Sequence, residues 1–421
     1  AFAPEYVVIH DDGFNYLTKM CLTAMRDACF RMIAIAKAHG CKVTVNSSDS
    51  TDHAAAYLER GADAVVLGEG EVTTRELIDH WSGLARAQAE WTDIPGIVHA
   101  RAGAVRSNPK RPVMRDLDAL PMPAWDLIDV DPYRRIWMGS RGYFSLNVAT
   151  TRGCPFKCNW CAKPIYGNRY NSRSPEHVVR ELEYLHSHFA PDHIWMCDDI
   201  FGLKPGWVQR FRDLLNECGL RIRYKIQSRA DLLLESDTIA ALAASGLDEV
   251  WIGAESGSQR ILDAMDKGIT IEQIGRARSL LKSHGIRTGF FLQFGYLGET
   301  AADVDLTIRM LEDLMPDDIG ISVSYPLPGT VFHERVAHAL GAKRNWTDSD
   351  DLAMMFTQQQ RPGYYKRLHR YVHKRFRRKQ AQQAWQEVLH GRSAPIRRLL
   401  SAVYYWPASL IDARRLARSA A

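Results

Sequence analysis

Cys154, Cys158 and Cys161 stand in the run Thr-Arg-Gly-Cys-Pro-Phe-Lys-Cys-Asn-Trp-Cys, a C-x₃-C-x₂-C spacing on one short segment. Three thiolates so spaced can ligate three corners of a cubane iron–sulfur cluster, whereas clusters that only carry electrons take four cysteines. With no fourth partner nearby, one iron stays open to a substrate. The competing assignments are a zinc knuckle and unrelated surface thiols. Zinc commonly takes four ligands from paired C-x₂-C groups, and no second pair follows this triplet.

Other residues able to do chemistry recur where apolar, strand-like runs end. Asp198 and Asp199 close His193–Asp198, where paired carboxylates read as metal ligands or as a helix N-cap. Arg229 follows Tyr224–Ser228; its guanidinium is a fixed fork suited to a carboxylate, or else an ion-pair partner for Asp231 or Glu255. Glu255 and Ser256 end Val250–Glu255 in the phrase Gly253-Ala-Glu-Ser-Gly257, and Lys267-Gly268 follows. A buried carboxylate such as Glu255 needs partners to stay charged. Gln293 and Gly295 end Thr288–Phe294, with Gly298-Glu299-Thr300 just beyond, and Tyr325-Pro-Leu-Pro-Gly-Thr330 closes Ile319–Tyr325. Glycines there let backbone approach a ligand closely.

These runs must be positioned by a regular scaffold. From Leu146 onward six strand candidates, the first being Leu146–Thr151, alternate with helical patterns such as Pro175–His188, Gly206–Cys218, Ile271–His284 and Ala301–Leu314. Six βα units predict a curved, incomplete parallel barrel, with chemistry at the C-terminal strand ends. Upstream, Glu5–His10, Lys42–Asn46 and Ala64–Leu67 read as buried parallel strands between helices, one from Leu17 to His39. They amount to about half of a doubly wound domain. The predicted organisation is α/β: a truncated doubly wound domain over 1–90, a proline-rich connector over 91–140, the barrel over 141–335, and a basic helical region over 336–421. Within the connector, Gly96–Ser107 reads as a hairpin and Pro121-Met-Pro123 as an extended link, with Asp131–Arg141 as the entry to the barrel.

The charge is uneven. From residue 361 onward fifteen Lys and Arg face only Glu387 and Asp412, a net of +13; the whole chain is +5, so residues 1–360 carry −8. Tyr365, Leu368, Val372 and Phe376 fall on one face of a basic amphipathic helix over Tyr364–Gln380. Three readings compete for it: closing the open side of the barrel, attracting an anionic substrate or lipid surface in a peripheral membrane contact, and contacting nucleic acid, for which no motif speaks. No run approaches the 20 or so apolar residues of a membrane span. Eight cysteines without a secretory signal point to reduced thiols and a cytoplasmic protein, with Cys21, Cys29, Cys41, Cys197 and Cys218 read as buried small hydrophobes.

The cysteine run resembles that of the radical S-adenosylmethionine (radical SAM) superfamily. The resemblance implies a [4Fe–4S] cluster whose open iron chelates S-adenosylmethionine and whose electron releases a 5′-deoxyadenosyl radical. It places Trp160 near the adenine, Asp198 near the methionine end, Arg229 on the methionyl carboxylate, and Glu255 and Ser256 on ribose hydroxyls or the methionyl ammonium. Gln293, Gly295 and Gly298 belong to a near match of Gly-Leu-Pro-Gly-Glu-Thr in which Tyr296 and Leu297 interrupt the phrase. The first ninety residues resemble the later part of the cobalamin-binding domain found before many radical SAM domains, most specifically Ala64-Val-Val-Leu-Gly-Glu-Gly-Glu71, although the Asp-x-His-x-x-Gly motif is absent. There Ser47 and Ser48 are candidates to bond a nucleotide tail. The class implied is that of proteins resembling anaerobic magnesium-protoporphyrin monomethyl ester cyclase. Its expected reaction is C-methylation or oxidative cyclisation of an unactivated carbon, cobalamin being a further cofactor. Expected partners are a small-molecule substrate (a tetrapyrrole, lipid or natural product) and an external electron donor such as flavodoxin or ferredoxin. The rival from another class is a non-catalytic iron–sulfur electron carrier or sensor. Such a cluster would favour a low-oxygen setting.

Overall fold

In the computed structural model, residues 3–10, 23–84, 90–163, 165–348, 351–357, 361 and 363–420 are described. The start of the helix expected from Leu17, and Cys21, lie outside them.

The first unit is a five-stranded sheet in sequential order. Strands β1 (Tyr6–His10), β2 (Lys42–Asn46) and β3 (Ala64–Val66) run parallel, while β4 (Ile97–Arg101) pairs antiparallel with β3, and β5 (Ala104–Ser107) with β4. The hairpin read as connector thus extends this sheet. Ala64, Val65 and Val66 are wholly buried because helices or their connections cover both faces. Packed against the sheet are the helices Thr23–Ala38, Ser48–Asp52, Ala54–Glu59 and Glu71–Trp81.

The second unit is a six-stranded parallel sheet, again in sequential order: β6 (Ser145–Val148), then β9 (His193–Met196), β10 (Tyr224–Ser228), β11 (Leu247–Glu255), β12 (Arg287–Phe294) and β13 (Asp318–Val323). Between β6 and β9 lies a small antiparallel pair, β7 (Thr151–Arg152) with β8 (Asn171–Ser172), which the βα pattern does not announce. The helices Pro175–Phe189, Trp207–Glu217, Ile271–Ser283 and Ala301–Leu314 alternate with the strands. Local chemistry starts them: Ser174, Thr270 and Thr300 each accept a bond from the backbone of the first helical turn, the last two as reciprocal capping boxes. The threonine of Gly-Glu-Thr is therefore a helix cap. One core runs through the barrel, from Phe144 and Val178 to Phe290 and Phe294.

The C-terminal region is a helical hairpin, Tyr364–Leu389 and Ile396–Ala420. Tyr365, Leu368, Val372 and Phe376 are buried as their spacing predicts, in the barrel core. Arg377 pairs with Asp318 at 2.7 Å and Gln380 donates to the Asp317 carbonyl, so this helix lies along the β13 edge. Among the described residues no helix is long and apolar enough to cross a membrane. Cys41 is buried, Cys29 and Cys197 are half-buried, but Cys218 is exposed: it follows the last turn of its helix, beyond the buried face.

Candidate functional site

Cys154 follows β6 by way of β7, so the cysteine segment leaves the C-terminal end of the first barrel strand as a loop between β7 and β8. Gly153 has φ +77, and a Cβ there would meet the Arg169 carbonyl oxygen at 2.3 Å. Only glycine lets the two sides of the loop close this tightly. Lys163 Nζ donates to the Phe156 carbonyl, tying the first half of the loop to the second. All three cysteines are half-buried and outside any disulfide. Burial pushes the Cys154 thiol up, opposed by the Phe156 amide and Lys163 and reinforced by Asp199 and Cys158. Among the described residues no three His, Cys, Asp or Glu side chains converge as one metal ion would need. Thiolates that each take a different iron of a cubane have no such requirement.

Asn159, which the motif treats as a spacer, is the loop's main clasp. Its Nδ2 donates to the Ala264 carbonyl and to Asp266, both at 2.8 Å, and its amide donates to the Met265 carbonyl. Its Oδ1 accepts from the Tyr296 hydroxyl at 2.7 Å, and its carbonyl from Phe332 N at 2.9 Å. The tyrosine that interrupts the glycine phrase is thus a buried bolt between the cysteine loop and the end of β12. Trp160 packs against Ile261, Met265, Tyr296 and Phe332 in a satellite core.

The sequence leaves Arg152 either as a counter-charge near the cluster or as a solvated side chain. Its guanidinium pairs with Glu69 at 3.2 Å and with Glu71, the two acids of Gly-Glu-Gly-Glu, and lies over the Tyr166 ring. The same turn holds Asn46, which donates to the Val66 and Gly68 carbonyls at 3.0 Å and leaves no room for a side chain at residue 70. That signature of the first sheet is therefore a dock for the cysteine loop.

The remaining candidates occupy different situations. Asp198 is wholly buried and accepts from Thr150 N at 2.7 Å, Thr151 N at 2.8 Å and the Thr150 hydroxyl, fixing the chain just before Cys154. Burial pushes its carboxyl up to about 6. Arg229 grips Asp231 with Nε and Nη2 at 2.9 and 3.0 Å, and stacks 3.7 Å above the Phe156 ring in the cysteine loop. Glu255 has φ +56 at a bulge in β11, and it accepts from buried Lys267 at 2.7 Å. Gly253 is needed beneath that pair, since a Cβ would sit 2.6 Å from Lys267 Nζ. Burial alone would pull the Lys267 ammonium down, but Glu255 and Cys158 outweigh it and hold it above the ordinary lysine range. Ser256 turns away to Thr307 and the Ser258 amide. Gly257 lets this turn reach the helix Ala301–Leu314, where a Cβ would strike the Leu306 carbonyl at 2.4 Å. Gly295 and Gly298 both have positive φ.

Two of these residues leave buried polar atoms unsatisfied. Trp160 Nε1 has no partner, and Gln293, which donates to Ser324 Oγ at 3.1 Å, leaves Oε1 bare. Each such atom costs about 1–3 kcal/mol, relieved when a ligand supplies the missing bond. The first sheet has the same feature at Thr44 Oγ1 and Ser48 Oγ, while Ser47 is spent capping the helix Ser48–Asp52. A cavity of about 300 Å³ opens beside the site, lined by Tyr325, Leu327, His333, Lys343 and Arg344 together with His53 of the first unit. His333 adjoins Phe332, whose amide bonds Asn159 in the cysteine loop.

Six parallel strands in sequence order, with three cysteines outside any disulfide on the loop after the first, define a radical SAM domain. Residues 148–311 match the Radical SAM superfamily profile, and the chain belongs to that superfamily. It is 33% identical over 287 residues to an uncharacterised methyltransferase of Pyrococcus horikoshii, covering 68% of this chain and 60% of that one. It is 31% identical over 268 residues to the anaerobic magnesium-protoporphyrin IX monomethyl ester cyclase of Rubrivivax gelatinosus, covering 63% and 47%. The chain thus spans roughly half to three fifths of these relatives' length. Among solved structures, the cobalamin-dependent S-adenosylmethionine radical enzyme OxsB has a similar fold, with a TM-score of 0.72 at 18% identity over 97% of this chain and 63% of that one.

Proposed function

We propose that this chain is the cobalamin-linked catalytic portion of a radical SAM enzyme that methylates an unactivated carbon of a small molecule. When bound, the [4Fe–4S] cluster and S-adenosylmethionine supply a 5′-deoxyadenosyl radical for hydrogen abstraction, and cobalamin supplies the methyl group. The supporting observation is the cysteine loop itself: three cysteines outside any disulfide, on a loop that also carries the unpartnered Trp160 Nε1 and is clasped by Tyr296, just beyond Gln293 with its bare Oε1.

Cys154, Cys158 and Cys161 would hold three irons. Arg229 is kept in the site by Asp231 and Phe156, and its Nη1, unpartnered among the described residues, is the donor left for a carboxylate. Glu255, oriented by Lys267, offers Oε2 to hydroxyls or an ammonium. Trp160 and Gln293 would contribute one donor and one acceptor. Ser48 and Thr44 suit the polar tail of cobalamin in the first sheet. Arg344 and His333 in the cavity lining suit a substrate bearing acidic groups, as a tetrapyrrole does, while Lys343 is paired with Asp351. A flavodoxin or ferredoxin would supply the electron. The names of the relatives favour methyl transfer or cyclisation over a bare electron carrier, as does a site with more polar groups than a cluster needs.

The test is anaerobic reconstitution followed by iron and corrinoid analysis and assay of 5′-deoxyadenosine. Cys158→Ala is expected to reduce 5′-deoxyadenosine formation to background; undiminished formation refutes the assignment. With methyl-labelled S-adenosylmethionine, label in the product establishes methylation, and an unlabelled, dehydrogenated ring product establishes cyclisation.

A further inference from the structure

The second helix of the C-terminal hairpin turns a broad apolar face outward. Its inner face is mixed: Ser409 and Asp412 are buried against the preceding helix, Asp412 paired with Lys374 at 2.7 Å and Ser409 accepting from Arg378, while Leu416 packs against the barrel core. Its outer face is apolar: Ile396, Leu400 and Val403 are 74, 66 and 79% exposed, and Tyr404, Leu410 and Ile411 about half exposed. At the helical repeat these six fall within an arc of about 120°, along about 22 Å of axis. Leu389, 80% exposed, and Trp385 extend the patch at the hairpin turn.

Charge says what this face meets. Arg392, Arg397 and Arg398 flank one end of the stripe, and Arg414, Arg415 and Arg418 the other, all exposed. Arg415 lies 3.7 Å from Asp412; none of the other five pairs with a carboxylate among the described residues. An apolar stripe with Tyr404 near its middle and unpaired arginines at both ends matches the acyl boundary and anionic headgroups of a bilayer surface. A second copy would bring the same arginines together, because a two-fold interface pairs a patch with itself. A nucleic acid would use the arginines but leave the stripe in water.

We infer that the outward face of Ile396–Ala420 docks this protein on an anionic lipid bilayer, lying in its surface. The test is co-sedimentation of the full, reconstituted chain with vesicles of phosphatidylcholine containing phosphatidylglycerol, against phosphatidylcholine alone. Sedimentation is expected with the anionic vesicles only, and to weaken with added salt. The pair Val403→Glu and Leu410→Glu is expected to abolish it, and Arg414→Gln with Arg415→Gln and Arg418→Gln to weaken it about a hundredfold, both sets retaining the circular dichroism of the parent and its formation of 5′-deoxyadenosine. If the glutamate pair fails to fold, the three exposed glutamines decide. Absence of sedimentation with anionic vesicles, or sedimentation that neither set changes, overturns the inference. So does a dimer in solution that the glutamate pair splits, or vesicle-independent capture by nucleic acid. Each readout is separate from cofactor cleavage, so failure here leaves the proposed reaction standing.

Discussion

The cysteine loop and the C-terminal hairpin both stand outside the barrel sheet, and they are held by opposite means. The loop is fixed by buried polar groups: Asn159 to Ala264, Asp266 and Tyr296, Asp198 to Thr150 and Thr151, Arg152 to Glu69 and Glu71. The hairpin is fixed chiefly by one apolar face, Tyr365 to Phe376, with Arg375 and Arg377 paired to Glu312 and Asp318 at its rim, and it presents a second apolar face outward. Directional bonds define positions to tenths of an ångström, as a ligand set requires. Apolar contact is tolerant of position and suits a surface that meets a fluid partner. The difference teaches where this chain needs geometry and where it needs only adhesion.

The comparison breaks first at Gly153. Gly153→Ala forces a Cβ against a backbone carbonyl at positive φ, and is expected to lower iron incorporation at least about tenfold while the hairpin's vesicle binding is unchanged; normal iron content would show that the loop is looser than its contacts. Next in size is Asn159→Ala. It strips partners from Tyr296 and Asp266 inside the protein, for an expected loss of about 2–4 kcal/mol in urea unfolding; a loss under about 0.5 kcal/mol would equate it with an exposed hairpin substitution. The most gradual effect sharpens the contrast through pH. Glu299 is buried, with one oxygen on Gly295 N and the other unpartnered, and burial pushes its carboxyl up to about 8. The folded state then holds a proton that the unfolded chain has released, so this contribution is complete below about 4.5 and lost as pH rises through about 8. Between pH 6 and 8 the parent should lose about 1.4 kcal/mol per unit relative to Glu299→Gln. Parallel stability profiles for the two would show that Glu299 is already ionised.

Much of the scaffold was legible because parallel barrel strands are short apolar runs and their helices carry caps. Tyr224–Ser228 and Ala301–Leu314 emerge at their expected bounds. The cysteines were legible because thiol spacing is itself chemistry. What escaped was pairing across long separations. Asn159 and Tyr296 lie 137 residues apart and each looks unremarkable alone; Arg152 finds its acids in another sheet. The one available signal was negative: Tyr296 breaks a phrase otherwise kept, and it does so to make a buried bond. The hairpin Gly96–Ser107 reads as part of a connector because the stretch around it is proline-rich, and nothing in a short isolated hairpin says which sheet edge it will join. Asp198 and Ser256 were singled out by position, yet their side chains serve the backbone that carries neighbouring site residues. A one-dimensional pattern does not say toward which side a strand-end group turns.

Arg152 lies two residues before Cys154, and its counter-charges come from the opposite sheet. Were the barrel produced without residues 1–107, that half-buried guanidinium would lose both acids, and the segment before Cys154 would lose its ties across the two units. The cysteine segment is therefore not self-sufficient within the barrel: part of its anchorage is lent by the first unit, whatever else that unit binds.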